Sequence, residues 1–209
     1  EADTNHQARQ TERRRIYAVL MQIGQKKESD FSEPIGMLED CHKRILYFLK
    51  TLVTLADSGR ERPLSPDQRM SLENALRYFR ESAPNHAADE EGSLFPRLRR
   101  SDAPQVREIF SKLDSLEVDH RQADDQHQQV ETIGRQWLLS GLLDSEEGAR
   151  LTALLEALSR LYRLHIALEE AEIFPIAKAV LPESAKRTVG QEMAQRRGVV
   201  LRDSIAEVV

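Results

Sequence analysis

Two pairs of histidine and glutamate recur at the same spacing in this 209-residue chain. His86 is followed four residues later by Glu90, and His165 is followed at the same distance by Glu169. Four residues of an α-helix return to within about 40° of the same face with an axial rise of ~6 Å, so each pair can reach one small volume beside its helix. Imidazole and carboxylate together suit iron, manganese or zinc, and suit calcium poorly. Both pairs are therefore candidate metal ligands.

Each pair has a further histidine upstream. His42 precedes the first pair's histidine by 44 residues, and His120 precedes the second pair's by 45. Four histidines and two glutamates exceed the ligand set of one tetrahedral zinc and suit two metals, ~3.5–4 Å apart, that share both carboxylates. Such incomplete coordination leaves room for a solvent bridge and for O2, NO or peroxide. Without metal, the two facing carboxylates are expected to repel and to raise each other's pKa.

The surroundings of these residues are duplicated along the chain. The pattern Leu-Glu-x-x-His that ends at His42 recurs 78 residues later, ending at His120. The eleven residues that begin at His86 recur 79 residues later, with six identities that include Glu-Glu and Phe-Pro. Two helical hairpins of one plan predict an all-α, up-down-up-down four-helix bundle.

Apolar residues at helical spacing predict helices over about residues 11–27, 35–56, 65–98, 103–139 and 145–181, and a helical tail follows Pro182. Pro84 predicts a kink in the third of these helices and Pro175 a bend in the fifth. The expected division is an N-terminal extension, the bundle and a C-terminal tail, over residues 1–34, 35–181 and 182–209.

Turn and cap residues support these boundaries. Ser65 before a proline is expected to cap the third helix, and Gly141 to end the fourth. Asp144 or Ser145 is expected to cap the fifth.

Composition excludes several classes of function. The net charge of -5 gives no general attraction to phosphate backbones, so nucleic acid is not an expected partner. The clusters Arg13-Arg14-Arg15 and Arg196-Arg197 are expected to be solvated helix faces. No stretch approaches the ~20 apolar residues that cross a bilayer. Cys41 is the only cysteine, which fits a reducing compartment, and a cytoplasmic location is expected.

The motif His42 … His86-x-x-x-Glu90-Glu91 … Phe-Pro, repeated from His120 through His165-x-x-x-Glu169-Glu170, resembles the hemerythrin-like HHE cation-binding family over about residues 35–181. The resemblance implies a four-helix bundle around a non-haem di-iron centre with an oxo or hydroxo bridge. It implies that His42 and His86 hold one iron, that His120 and His165 hold the other, and that Glu90 and Glu169 bridge them.

The chain departs from the blood-pigment members of that family. Those have a further histidine one turn after the third-helix histidine, where this chain has Asp124, and a bridging aspartate in place of Glu169. The resemblance therefore leaves two options, a more open iron coordination or Asp124 as a substitute ligand.

Other residues near the motif have more than one interpretation. Glu39 and Glu117 each lie three residues before a motif histidine, so they could bind metal as in ferritin-like bundles, orient the imidazoles, or face solvent. Glu91 and Glu170 lie about 100° around the helix from the bridging glutamates, which favours an outer position. Four more residues are expected to belong to ordinary packing or to lie off the site: Cys41, Tyr78, His127 and Tyr162.

Three functions are compatible with the sequence. The first is a di-iron protein that binds or senses O2, NO or iron, which fits a ligand-binding protein better than a committed enzyme. The second is a di-iron oxidoreductase that reduces peroxide or oxidises ferrous iron, motivated by Glu39 and Glu117. The third is a helical interaction module without metal. A homo-oligomer is compatible with each of them.

Overall fold

The computed structural model describes residues 28–59 and 62–201, which form helices joined by turns and short loops without any strand. The α-helices are α1 Pro34–Ser58, α2 Pro66–Glu81, α3 Ala83–Asp89, α4 Phe95–Arg99, α5 Pro104–Arg107, α6 Phe110–Ser140, α7 Ser145–Leu168, α8 Phe174–Val180 and α9 Glu183–Arg196. Two π-helical turns, π1 Glu90–Leu94 and π2 Glu169–Ile173, lie between α3 and α4 and between α7 and α8. The all-α prediction is confirmed for the described residues, whereas the helix predicted over 11–27, the Arg13-Arg14-Arg15 cluster and residues 202–209 lie outside them.

The helix ends follow from the residues that occupy them. The Ser65 side chain accepts from the Gln68 amide while the Gln68 side chain accepts from the Ser65 amide, a reciprocal capping box. Asp144 caps α7 by accepting from the Glu147 amide. Gly141 ends α6 with φ 76°, a left-handed conformation that glycine adopts without steric cost. These three predictions from the sequence are confirmed.

Two helices differ from their predicted extents. The helix around Pro84 is interrupted at Ser82, so the predicted kink is a break between α2 and α3. The fourth long helix starts at Phe110 instead of near residue 103, because the backbone of Ile109 turns at φ -103° and ψ 0°. That turn allows both Val106 and Ile109 to be buried in the core.

The long helices contact one another in cyclic order, α1 with α2, α2 with α6, α6 with α7, and α7 with α1. Two hydrophobic clusters fill the interior between them. Along α1, Leu38 belongs to one cluster and Ile45 to the other, and along α6 the same is true of Leu116 and Ala123. Residues between these positions therefore lie between the two clusters, and His42 is one of them.

The C-terminal helix α9 packs on α1, α3 and π1 and buries Val189, Met193 and Ala194. Arg196 and Arg197 at its end donate to the fully buried Asp89. The prediction that this arginine pair forms a solvated helix face is therefore wrong, because both arginines neutralise a buried carboxylate. No helix within the described ranges is long and apolar enough to cross a membrane.

Candidate metal centre

Six side chains from the two repeats converge between the hydrophobic clusters and form two overlapping groups. Within each group, one ligand atom per residue lies within 4.8 Å of every other. The first group is His42, His86, Glu90 and Glu169, and the second is Glu90, His120, His165 and Glu169. The structure thus brings together all six residues singled out by their spacing, with the same pairing of histidines, and both glutamates are common to the two groups.

Glu169 links one histidine of each repeat. Its Oε2 lies 3.0 Å from Nε2 of His42 and 3.3 Å from Nε2 of His165. Its side chain is fully buried, which opposes ionisation, yet the contacts with His165 and His42 lower the pKa of Glu169 below its ordinary value. The expectation of a raised pKa is wrong for Glu169, because His42 and His165 lie 3.0 and 3.3 Å from its carboxylate. The sequence alone does not reveal these distances.

Glu90 occupies the equivalent place on the other side of the centre. Its Oε1 lies 3.4 Å from Nε2 of His86 and its Oε2 lies 3.2 Å from Nε2 of His120. Burial first, and then the nearby charge of Glu169, raise the pKa of Glu90 well above its ordinary value. For Glu90, the expectation that a facing carboxylate raises the pKa therefore agrees with the structure.

Burial also disfavours protonation of two of the imidazoles. Burial and the neighbouring His42 lower the pKa of His86, and burial and the neighbouring His165 lower the pKa of His120. The pKa of His165 is raised, because contacts with Glu169 and Asp119 outweigh its burial. Neutral imidazoles offer the nitrogen lone pair that a metal needs.

The polar atoms of this centre fit a pair of cations. Among the described residues, several of its buried atoms lie at ion-pair distance from one another but form no hydrogen bond of good geometry: Nε2 of His42, Nε2 of His86, and both carboxylate oxygens of Glu90 and of Glu169. Nδ1 of His86 is buried without a hydrogen bond as well. A buried polar atom that lacks a partner costs ~1–3 kcal/mol, so such a concentration of donor atoms calls for a ligand. The donor set of imidazole and carboxylate suits iron, manganese or zinc.

Outer carboxylates orient two of the imidazoles. Nδ1 of His42 lies 2.9 Å from Oε1 of Glu170, and Nδ1 of His120 lies 2.8 Å from Oε1 of Glu91. Each Nδ1–H can donate to its carboxylate, which leaves the Nε2 lone pair directed at the centre, as in carboxylate–histidine–metal triads. The outer position expected for Glu91 and Glu170 agrees with these contacts.

The two repeats differ at the next histidine. Nδ1 of His165 lies 3.4 Å from Oδ2 of Asp119. The equivalent of Asp119 in the first repeat is Cys41, and Nδ1 of His86 has no hydrogen-bonding partner among the described residues. Asp119 was not among the predicted site residues, because the first repeat has no acidic residue at the equivalent position.

The π-helical turns begin at the two shared glutamates. The Phe95 amide donates to the Glu90 carbonyl and the Phe174 amide to the Glu169 carbonyl, five residues earlier in each case. A proline follows each phenylalanine and has no N–H to donate to a carbonyl of the preceding turn, and the wider turn lies directly before it. Pro175 was predicted to bend its helix, and the departure from α-helical geometry lies in the turn before it. The repeated Phe-Pro was the available sequence signal for these turns.

The phenylalanines of the same motif pack on candidate ligand imidazoles of the other repeat. Phe174 stacks on His42 with ring centroids 5.4 Å apart, and Phe95 lies parallel to His120 at 6.4 Å. Both phenylalanines are fully buried. An apolar wall of this kind limits the access of water and strengthens electrostatic interactions within the centre.

Three acidic residues considered as further ligands lie outside both groups. Glu39 forms an ion pair with Lys178, and Glu117 lies 2.6 Å from Arg99. Asp124 is exposed. Each carboxylate thus has a surface cation or solvent as its neighbour.

A cavity of about 40 Å³ adjoins the centre. Its lining includes His86 and His120, one from each ligand group, together with Asp124, His127 and Tyr162. The Tyr162 hydroxyl lies 3.0 Å from Nε2 of His127, whose pKa burial lowers to about 4. A cavity needs ~10–15 Å³ to hold one water molecule, so this cavity has room for a small molecule of two or three non-hydrogen atoms.

Comparisons with known proteins agree with the motif. The family model described as hemerythrin HHE cation binding domain matches residues 33–177. A protein of Haemophilus influenzae, described as uncharacterized, is 30% identical over 180 residues, which cover 86% of this chain and 99% of that protein. The family match confirms the resemblance inferred from the repeated ligand pattern.

Proposed function

The chain belongs to the hemerythrin HHE cation-binding domain family, and we propose that it is a non-haem di-iron protein that binds or senses O2, NO or iron. His42 and His86 would hold one iron, His120 and His165 would hold the other, and both irons would share the carboxylates of Glu90 and Glu169. The four long helical segments form the up-down-up-down bundle that carries these ligands. The expected cytoplasmic location is part of the same proposal.

The observation that carries the proposal is the sharing of Glu90 and Glu169 between two groups of ligand atoms. Each group contains two imidazoles and the same two carboxylates, which suits two adjacent ions better than one. Two histidines and two shared carboxylates leave the coordination of an iron incomplete, and an iron pair supplies electrons and open positions for a small ligand.

The protein's own residues prepare the centre for that ligand. Glu170 and Glu91 hold His42 and His120 in one orientation, so that Nε2 faces the centre. Phe174 and Phe95 place an apolar ring beside the same two imidazoles. The cavity beside His86 and His120 gives a diatomic molecule or peroxide a place next to both ligand groups.

The oxidoreductase alternative loses its structural motivation. It relied on Glu39 and Glu117 to make the centre rich in carboxylates, and both residues instead pair with Lys178 and Arg99. The ligand groups contain four imidazoles and two carboxylates, a set that favours ligand binding over a ferritin-like ferroxidase centre.

Anaerobic titration of metal-free protein with Fe2+ tests the proposal. We expect uptake of about two irons per chain, near-ultraviolet bands that change with oxidation or added NO, and loss of uptake in Glu90→Ala. Glu39→Gln is the matched control and should bind iron like the wild type. Protein that takes up no iron, or only zinc, would overturn the proposal, and peroxide turnover that Glu90→Ala abolishes would favour the oxidoreductase.

A further inference from the structure

Helix α9 lies beyond the residues matched by the family model, yet it reaches the residue next to a bridging glutamate. Oδ1 of Asp89 accepts from Arg196 at 2.6 Å and from Arg197 at 3.2 Å, and Oδ2 accepts from Arg197 at 2.7 Å. Asp89 is fully buried and directly precedes Glu90. We call Asp89, Arg196 and Arg197 the latch.

Further contacts join α9 to π1 itself. Arg196 also donates to the Ser93 hydroxyl, and the Ser93 carbonyl accepts from Arg97 at 2.8 Å. Arg97 holds Glu192 of α9 through two bonds of 2.9 and 2.8 Å. A Cβ at Gly92 would lie 3.0 Å from the Arg196 guanidinium, so glycine leaves the space that the arginine occupies. The π-helical turn that presents Glu90 is thus bound to α9 at Asp89, directly before it, and at Ser93 within it.

The second repeat has no such arrangement at π2. The positions of Asp89, Gly92, Ser93 and Arg97 are taken there by Leu168, Ala171, Glu172 and Ile176. An apolar residue therefore precedes Glu169 where a buried carboxylate precedes Glu90. Only the first of the two turns, as far as the described residues show, needs a partner outside the bundle.

The rest of α9 is packed closely enough to hold the arginines in place. A Cβ at Gly190 would lie 1.9 Å from the Phe31 carbonyl oxygen, so the helix approaches the segment before α1 at backbone distance. Val189 and Met193 are buried in the same cluster as Phe95. The guanidinium groups are therefore carried by a fixed element of the fold.

We propose that α9 positions Glu90 for the metal centre, with Arg196 and Arg197 as positioning residues that act through Asp89. A buried carboxylate without a cation is strongly unfavourable and would turn towards solvent, displacing the start of π1. Ligand side chains must hold their geometry within ~0.5 Å, so such a displacement weakens the ligand that both metals share. The inference rests on the proposed function, because it takes Glu90 to be a metal ligand.

The test compares a variant that lacks the two cations of the latch with a variant in which its buried carboxylate is replaced as well. R196Q/R197Q removes the cations, and R135Q/R160Q is the control, since Arg135 and Arg160 are both exposed and pair with Glu131 and Glu156. D89L/R196Q/R197Q gives the first repeat the leucine of the second. Iron affinity is measured by competition with a chelator, and amide exchange of residues 90–95 and 169–174 is followed in metal-free protein.

We expect R196Q/R197Q to bind iron about 10–100-fold more weakly than the control, as for the loss of other outer partners of metal ligands. Exchange should accelerate at residues 90–95 and stay unchanged at 169–174. The triple variant should recover the affinity of the control. Control-like affinity in R196Q/R197Q, or a triple variant that recovers nothing, would overturn the inference.

The exchange measurement separates this inference from the proposed function. If wild-type protein takes up no metal, the proposed function fails, and with it the metal-positioning role. Exchange at residues 90–95 then decides the remaining claim: acceleration in R196Q/R197Q supports the latch as the support of π1, and control-like exchange refutes it.

Discussion

Replacing Glu90 by glutamine should change how the stability of the metal-free protein depends on pH. Glu90 is fully buried, and burial together with the charge of Glu169 raises its pKa well above the ordinary 4.5. A group whose pKa is higher in the folded state stabilises the fold fully below its unfolded pKa. That stability is lost as the pH rises from about 4.5 through the folded pKa.

The magnitude follows from one proton. In this window the folded protein binds one proton more than the unfolded chain, so the free energy of unfolding falls by at most about 1.4 kcal/mol per pH unit on account of Glu90. Glutamine does not titrate and keeps the shape of the side chain. The stability of wild type minus that of Glu90→Gln should therefore decrease with rising pH.

Urea unfolding in the presence of a chelator, between about pH 5 and 8, measures this difference. Glu156→Gln, which alters an exposed pair, is the control and should run parallel to wild type. With iron present, the stability of wild type minus that of Glu90→Gln should instead increase with rising pH. Metal competes with protons for Glu90, so wild type gains more free energy of metal binding than the variant as the pH rises. Parallel curves for wild type and Glu90→Gln without metal would refute the claim that Glu90 is a desolvated carboxyl beside a second carboxylate.

Three further outcomes are expected. Iron at about 100 times its dissociation constant should raise the free energy of unfolding by ~2.7 kcal/mol, and a melting temperature unchanged by iron would contradict binding to the folded state. Glu170→Gln should weaken iron binding about 10–100-fold in a chelator competition, while Glu39→Gln should leave it unchanged. Gly141→Ala should destabilise the protein by ~1–2 kcal/mol in urea because φ is 76° there, whereas Gly148→Ala, in open space within α7, should stabilise it by ~0.5–1 kcal/mol.

The candidate centre could be predicted from the sequence because its ligands obey local rules. His86 and Glu90 share a face through helical spacing alone, and the duplication supplies the second half of the arrangement. Caps such as Ser65 act within three residues of themselves. Patterns of this short range are visible without any knowledge of packing.

Other features depend on contacts between distant parts of the chain. The pairing of Asp89 with Arg196 joins residues 107 apart and breaks the repeat symmetry from which the rest was inferred. Asp119 lies 46 residues from His165, and its repeat equivalent is a cysteine. Glu39 and Glu117 had the spacing of ligands, but cations on neighbouring segments, Lys178 and Arg99, pair with them. Such competition between partners is decided by tertiary packing.

The central claim is that six side chains hold two irons. The most direct test is an anomalous difference map, at the iron absorption edge, from crystals of iron-loaded protein. We expect two peaks ~3.5–4 Å apart, one beside His42 and His86 and the other beside His120 and His165. A single peak, or iron bound away from these histidines, would contradict it.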